Sequence, residues 1–232
     1  MFHFKKFSVS HSQSTMKVGT DAVLLGAWMP VPQNCKNILE IGCGCGVISL
    51  MIAQRTNANI LGIDIDWQSV IEAQQNAENS PWKNRVIFIH DDVQNFVQNT
   101  TQKFDIIISN PPFFENSLKS PFNNKNISKH DVTLDFETLN KVVDNLLNND
   151  GCFGVILPAD AEQKFVEIAE KNHLFLTKKT EVYPTPQKKS NRILMMFERT
   201  EKPCEFNRLL IRDKGYTVEY LLLIEEYLKI YY

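Results

Sequence analysis

The sequence predicts an α/β fold, a mostly parallel seven-stranded sheet with helices on both faces. Three observations predict it. Short apolar runs alternate with helical stretches from Asn37 onward, the pattern of successive βα units. The run Phe104-Asp105-Ile106-Ile107-Ile108-Ser109 is apolar at nearly every position, as a strand covered on both faces must be. The glycine- and proline-rich stretches follow the ends of strands, where open sheets of this kind hold their ligands.

Taken in order, Thr20 is placed to cap a helix whose first turn holds Asp21 and whose apolar face is Leu24, Leu25 and Trp28. Asn37-Ile38-Leu39-Glu40-Ile41 is the first strand, and Val47 to Gln54 reads as a helix. Asn59 to Ile63 is the second strand, followed by a helix through Asn79 that Ser80-Pro81 closes. Arg85 to His90 and Phe104 to Ser109 are the third and fourth strands. A helix near Asp135 to Leu147 precedes a fifth strand, Cys152 to Leu157, and Ala159 to Asn172 is helical. Two more strands flank the loop Tyr183 to Asn191. The expectation is one domain over 1–232. Residues 1–36 form an N-terminal cap and basic segment, 37–200 the core, and 201–232 a C-terminal strand and helix packed on that core.

A chain of 232 residues buries roughly 70% of its unfolded surface without help from metals or disulfides. Its 43% hydrophobic and 22% charged residues exclude a disordered or collagen-like chain. The net charge of −2 gives no global case for nucleic-acid binding, which would need a local basic patch. No apolar run approaches the roughly 18 residues of a membrane span, and Met1 to Lys6 is not followed by the apolar core of a secretion signal. The five cysteines, at 35, 43, 45, 152 and 204, therefore read as reduced thiols of a cytoplasmic protein. Cys43 and Cys45 have no second pair or histidine cluster, so no metal site is expected.

The first strand runs into Glu40-Ile41-Gly42-Cys43-Gly44-Cys45-Gly46, where glycines allow a sharp turn and close backbone approach to a ligand. A dinucleotide fingerprint would require glycine at 47, and Val47 stands there. The loop instead resembles the E/D-x-G-x-G-x-G loop of Rossmann-like methyltransferases that bind S-adenosylmethionine. About 20 residues further on, Asp64 ends the second strand and can accept hydrogen bonds from both ribose hydroxyls. Asp66 is better placed to cap the following helix. By the same resemblance Ile65, Asp92 and Val93 contact the nucleoside part of the cofactor; helix capping is the alternative role for Asp91 and Asp92.

Asn110-Pro111-Pro112-Phe113 directly follows the fourth strand. Two prolines fix two φ angles and hold Asn110 out of the helical region, giving a rigid corner that presents acceptors. A planar amino group such as adenine N6 is a poor nucleophile because its lone pair is delocalised. The Asn110 side-chain oxygen and the Pro111 carbonyl can hold both of its N–H bonds, favour a more pyramidal nitrogen and stabilise the charge that develops there. Phe113 offers a face for a flipped base. The loop and tetrad together resemble N-methyltransferases with an N/D-P-P-Y/F signature, which act on adenine N6, guanine N2 or a glutamine amide.

Lys17-Val18-Gly19-Thr20-Asp21-Ala22-Val23-Leu24-Leu25-Gly26-Ala27-Trp28 strongly resembles the bacterial tRNA1(Val) (adenine(37)-N6)-methyltransferase family. So do Phe4-Lys5-Lys6-Phe7, Gln54-Arg55-Thr56 and Ser80-Pro81-Trp82, so the likeness covers nearly the whole chain. It implies a class I S-adenosylmethionine-dependent fold. It also implies that Lys17, Gly19, Thr20 and Asp21 lie over the methionine end of the cofactor, with Glu40, Gly42, Gly44, Gly46, Asp64 and Asn110 beneath. The substrate it implies is the adenine just 3′ of a tRNA anticodon. The family often has Tyr where this chain has Phe113, and small residues where it has Cys43 and Cys45.

Lys5 and Lys6 near the start, and Lys188, Lys189 and Arg192 further on, are the basic positions expected to meet RNA phosphates. The polar loop 114–134 is expected to act as a lid that orders on RNA. The alternatives are another RNA base or a protein glutamine side chain as acceptor. Only 36 residues precede Asn37, too few for the helical domain that glutamine methyltransferases usually carry there. A DNA adenine methyltransferase would need a recognition domain, and a non-catalytic binding module would not need an intact tetrad. The chain is expected to act as a monomer, with tRNA as partner and no membrane contact.

Overall fold

The computed structural model describes residues 1–112 and 134–229. A short antiparallel hairpin, β1 (Phe2–His3) and β2 (Ser8–Val9), leads to α1 (Thr20–Trp28). The alternating part follows as β3 (Asn37–Ile41), α2 (Val47–Ala53), β4 (Asn59–Asp64), α3 (Trp67–Glu78), β5 (Val86–His90), α4 (Val93–Asn99) and β6 (Phe104–Ser109). Next come α5 (Phe136–Leu146), β7 (Leu147–Pro158), a 3-10 turn at Ala159–Ala161, α6 (Glu162–Lys171), β8 (Phe175–Tyr183) and β9 (Arg192–Glu198). The last elements are β10 (Glu205–Leu210), a small hairpin of β11 (Arg212–Asp213) and β12 (Gly215–Tyr216), and α7 (Val218–Ile224).

The main sheet runs in the order β10-β8-β9-β7-β6-β3-β4-β5. All neighbouring pairs are parallel except those of β9, which is antiparallel to both β7 and β8. It has eight strands, one more than the seven expected. The eighth is β10, whose residues Glu205 to Arg208 are all exposed, so no apolar alternation marks them as sheet. Such a polar strand is tolerated because it occupies an edge.

Alternation along the strands divides the core into two layers. Ile38, Ile60, Ile106 and Ile108 pack with α1, α2, α3 and α7, while Leu39, Ile41, Ile63 and Ile107 pack with α4, α5 and α6. Chain order reverses at β3, which lies between β4 and β6, and this switch opens a crevice at the carboxyl edge.

Helix starts follow side-chain chemistry at three of the places where an acid precedes an apolar run. Asp66, Asp92 and Asp135 accept hydrogen bonds from the backbone N–H groups of Ser69 (2.9 Å), Gln94 (2.8 Å) and Thr138 (2.7 Å). Thr20 does not cap α1, contrary to expectation. It is the first helical residue, and extended Gly19 occupies the cap position without a side-chain bond.

The N-terminal segment is held by two residues of α3. Glu72 is buried, and its carboxylate accepts from Ser10 Oγ, from the backbone N–H and Oγ of both Ser12 and Ser14, and from the Gln13 N–H, at 2.7–3.3 Å. One turn later, Asn76 exchanges hydrogen bonds with the Ser10 backbone and donates to the Cys45 carbonyl at 2.9 Å. Residues 10–14 are thereby strapped beside the glycine loop.

Burial alone would raise the Glu72 pKa, but the converging donors win and hold it down at about 2. The folded state therefore holds fewer protons than the unfolded one between about 4.5 and about 2. Its stabilisation is complete above that window and lost as pH falls through it. Replacing Glu72 with Gln should cost about 2–4 kcal/mol at neutral pH, because amide donors then face orphaned N–H and O–H groups. Urea unfolding should show this difference shrinking towards pH 3, while hydrogen exchange quickens at Ser12 to Ser14. A pH-independent difference would show that the carboxylate's charge is not what holds the strap.

Candidate functional site

The turn after β3 is possible only with glycine. Gly42, Gly44 and Gly46 have φ values of +71°, +50° and +77°. Gly46 also lies against the Phe88 ring, where a Cβ would sit 2.5 Å from Cζ. Above Gly42 and Gly44, in contrast, a Cβ would meet nothing within 4 Å, so these two leave open space at the carboxyl edge. The Cys43 and Cys45 thiols are buried, with pKa values pushed up, Cys45 to about 12, so they stay protonated and pack as small apolar groups.

Asp64 ties the loops of this edge together. Its Oδ2 accepts from the Gly44 N–H at 2.7 Å, its Oδ1 from the Asp66 N–H at 2.9 Å, and its carbonyl from the Asp91 N–H at 3.2 Å. Burial raises its pKa above the ordinary carboxylate value, and the amide donors oppose that rise. Glu40, by comparison, faces away. It is buried under α2, accepts from Ser49 N–H at 2.9 Å and Ser49 Oγ, and burial pushes its pKa up to about 8.

Asn110 follows β6 and is 8% exposed, yet its buried Oδ1 has no hydrogen-bond partner among the described residues. An unpaired buried amide oxygen costs about 1–3 kcal/mol, and the residue that carries this one stands in the wall of a cleft. Beside it, the Ser109 hydroxyl donates to the Ile41 carbonyl at 2.9 Å and locks β6 to β3 just below the corner.

These groups line a cleft of about 680 Å³. Of the residues expected from sequence, the cleft brings together Gly42, Gly44, Asp64, Ile65, Asp92, Val93, Asn110, Pro111 and Pro112. Phe113 and 114–133 of the expected lid lie outside the described residues. Glu40, Gly46, Lys17, Gly19, Thr20 and Asp21 are not in its wall. Lys17 Nζ donates to the His11 and Ser12 carbonyls, at 2.6 and 2.9 Å, and Asp21 pairs with Arg192 at 2.7 Å. The strap instead delivers Thr15 and Met16 to the cleft, which sequence reasoning missed. The serines at 10, 12 and 14 were the available signal, though their acceptor is some 60 residues away.

Of the expected RNA contacts, Lys6, Lys188 and Lys189 are exposed, and Lys5 donates to the Glu225 carbonyl. Arg192 is engaged with Asp21, and the neighbouring Lys178 and Lys179 pair with Glu205 and Glu162. Among the described residues no cluster of three or more His, Cys, Asp or Glu side chains could hold a metal, and no helix is long and apolar enough to cross a membrane. A second cavity of about 650 Å³, lined by Cys35, Asp105, Asn148 and Arg199 among others, holds none of the motif residues.

Comparison with known proteins agrees with this geometry. The profile of the methyltransferase small domain family matches residues 3–131. A tRNA1(Val) (adenine(37)-N6)-methyltransferase of Flavobacterium psychrophilum is 40% identical over 96% of this chain and 97% of its own. One of Phocaeicola vulgatus is 41% identical over 97% and 96%. Among solved structures, a "predicted O-methyltransferase" of Agrobacterium tumefaciens superposes with a TM-score of 0.72, covering 89% of this chain and 96% of that one. At 17% identity that likeness speaks for the fold alone.

The two kinds of glycine should separate in experiment. Gly46→Ala forces both a left-handed alanine and a clash with Phe88, and should cost about 2–4 kcal/mol of stability. Gly42→Ala carries only the conformational cost of about 1 kcal/mol, but sets a methyl group in the cleft. Thermal unfolding should find the first variant much the weaker, and calorimetry should find the second losing tenfold or more in S-adenosylmethionine affinity. Equal stability losses would remove the distinction between a packing glycine and a cleft glycine.

Proposed function

The chain belongs to the methyltransferase small domain family and, within it, to the tRNA1(Val) (adenine(37)-N6)-methyltransferases, and from that premise we propose that it methylates the exocyclic N6 of adenine 37, beside the anticodon of tRNA1(Val). The cofactor is S-adenosylmethionine. A cytoplasmic location, where its tRNA substrate is found, is part of this reading.

The cleft fits the cofactor in chemistry as well as in size. Open space above Gly42 and Gly44 admits it close to the backbone. Asp64 retains lone pairs for ribose hydroxyls beyond the two it gives to Gly44 and Asp66. Ile65, Asp92 and Val93 would border the adenine, and Thr15 and Met16 would cover the cleft from the strap. When bound, the cofactor supplies an activated methyl group on a sulfonium centre.

The observation that carries the reading is the unpartnered Asn110 Oδ1, buried at the carboxyl end of β6 and facing this cleft. The protein's own contribution is to position and to stabilise charge. Asn110 Oδ1 and the Pro111 carbonyl accept the two N–H bonds of the target amino group, which orients the nitrogen lone pair into the cleft. As the nitrogen becomes positive, both acceptors strengthen. The two prolines keep this corner from relaxing, since neither φ angle can swing. Lys188 and Lys189 stand exposed at the same edge of the sheet to receive backbone phosphates.

Incubation with S-adenosylmethionine and unmodified tRNA, followed by digestion to nucleosides and mass analysis, should yield N6-methyladenosine. Asn110→Ala should lower kcat at least about 100-fold, the loss of one oriented acceptor, while cofactor affinity changes less than about tenfold. Methylation of another base, or an Asn110→Ala variant as fast as the wild type, would overturn this assignment.

A further inference from the structure

We propose that the β11–β12 hairpin is an RNA-docking element, which grips the phosphate backbone of the tRNA arm whose adenine enters the cleft. The inference rests on the tRNA reading above and adds a surface to it.

The hairpin is a two-strand ribbon with a single residue, Lys214, at its tip. Lys214 has φ +59°, a left-handed conformation that costs a side-chain-bearing residue about 1 kcal/mol and that glycine adopts freely. Glycine is the very next residue, yet the strained position holds a lysine, and the ammonium group is thereby carried at the apex. All five residues from Arg212 to Tyr216 are exposed.

At the base of the hairpin the Arg212 guanidinium lies 4.3 Å from the Tyr216 ring centroid, and its Nη2 donates to the Tyr216 hydroxyl at 2.6 Å. Tyr216 is 49% exposed and leans on Tyr220 at 5.1 Å. An exposed guanidinium held over an aromatic ring has part of its ordering cost already met when a phosphate arrives, and the ring offers stacking to an unpaired base.

Position makes the surface continuous with the site. β8 and β10 run in the same direction as β6 and β7, so Tyr183 and Leu210 end at the cleft's edge of the sheet. The Ile211 N–H donates to the Tyr183 carbonyl at 2.8 Å, which hangs the hairpin on the residue where the Lys188–Lys189 loop departs. Thr217 closes the other side, its N–H donating to the Ile211 carbonyl at 3.0 Å. Across 184–191 and 208–216 the cations are Lys188, Lys189, Arg208, Arg212 and Lys214, and the only acid is Asp213. Arg208 shares the nearby Glu181 at 3.7 Å and is otherwise exposed. A basic strip with an aromatic ring, on a protein whose net charge is −2, is the charge complement of a polyanion.

The test measures binding of unmodified tRNA, in the presence of S-adenosylmethionine, over a range of KCl concentrations, together with methylation kinetics. Lys214→Gly should leave the thermal midpoint equal or higher, because strain is relieved. It should nonetheless weaken tRNA binding about 3- to 10-fold and make the slope of log K against log salt shallower by about one. Arg212→Gln combined with Lys214→Gly should lower the slope by about two, raise KM for tRNA, and leave kcat and cofactor affinity within about twofold. A hairpin with a purely structural role would instead show lost stability and an unchanged slope, and that result would overturn the proposal. If the wild type methylates tRNA while both variants match it in slope and KM, the hairpin proposal alone falls. If the wild type neither binds nor methylates tRNA, the functional reading falls and takes the hairpin with it.

Discussion

The carboxylate of Asp64 is the knot on which the carboxyl edge of the sheet depends. Three loops meet there, from β3, β4 and β5. Asp64 accepts from Gly44 in the first, from Asp66 in the second, and through its own carbonyl from Asp91 in the third. A buried carboxylate is costly unless its oxygens are satisfied, and two amide donors at 2.7 and 2.9 Å satisfy only part of their capacity. What remains is acceptor capacity in the wall of the cleft. The residue that shapes the cleft is thus also the one left wanting a partner inside it. Asn110 Oδ1 repeats the pattern on the other side of β3, as a buried acceptor left unsatisfied among the described residues. One acceptor suits a ribose and the other suits an amino group, and the crevice between β4 and β6 separates them.

The N-terminal strap shows how a second buried acid organises a region without any cation. Glu72 is surrounded by hydroxyl and amide donors from four residues, and Asn76 continues the same helix face to the glycine loop. The donors lower the carboxyl pKa to about 2 despite burial, which means the donor geometry outweighs desolvation. Glu40 shows the opposite outcome. With Ser49 as its sole hydrogen-bonding residue it rises to about 8. The two carboxylates differ in donor number and also in desolvation, which is the more severe at Glu40.

What could be seen in the sequence was what local chemistry dictates. The central strands announce themselves by continuous apolar runs, and the turn after Ile41 by three glycines that each need positive φ. Asp66 as a helix cap follows from an acid preceding an apolar run. Long-range pairing was not visible. Nothing near Glu72 indicates that its partners are Ser10 to Ser14, and nothing near Arg192 indicates that Asp21 will meet it. For β10 the expectation was a C-terminal strand within 201–232, and its place as an eighth strand of the main sheet was not visible. Its stability comes from pairing with β8 and from Leu209 in the core, not from an alternating pattern of its own. Thr20 misled because threonine is a favoured cap, while here the strap's path makes Gly19 the last extended residue and draws Thr20 into the first turn.

The reversal of β9 explains why one edge can serve two ligands. In a wholly parallel sheet every connection must cross back over a face before the next strand begins. Here β9 runs against β7 and β8, and β8 joins it directly through 184–191 at the carboxyl edge. β10 then returns parallel to β8 and delivers the β11–β12 hairpin to that same edge. In the half of the sheet from β6 to β5, Asp64 joins the turns after β3, β4 and β5 beside the cleft. The half from β7 to β10 leaves its edge extended, cationic and open, with Lys188, Lys189 and Arg212 exposed beyond the strands. A macromolecular substrate can therefore be held by its backbone over one half while a single base reaches Asn110 at the boundary between the two.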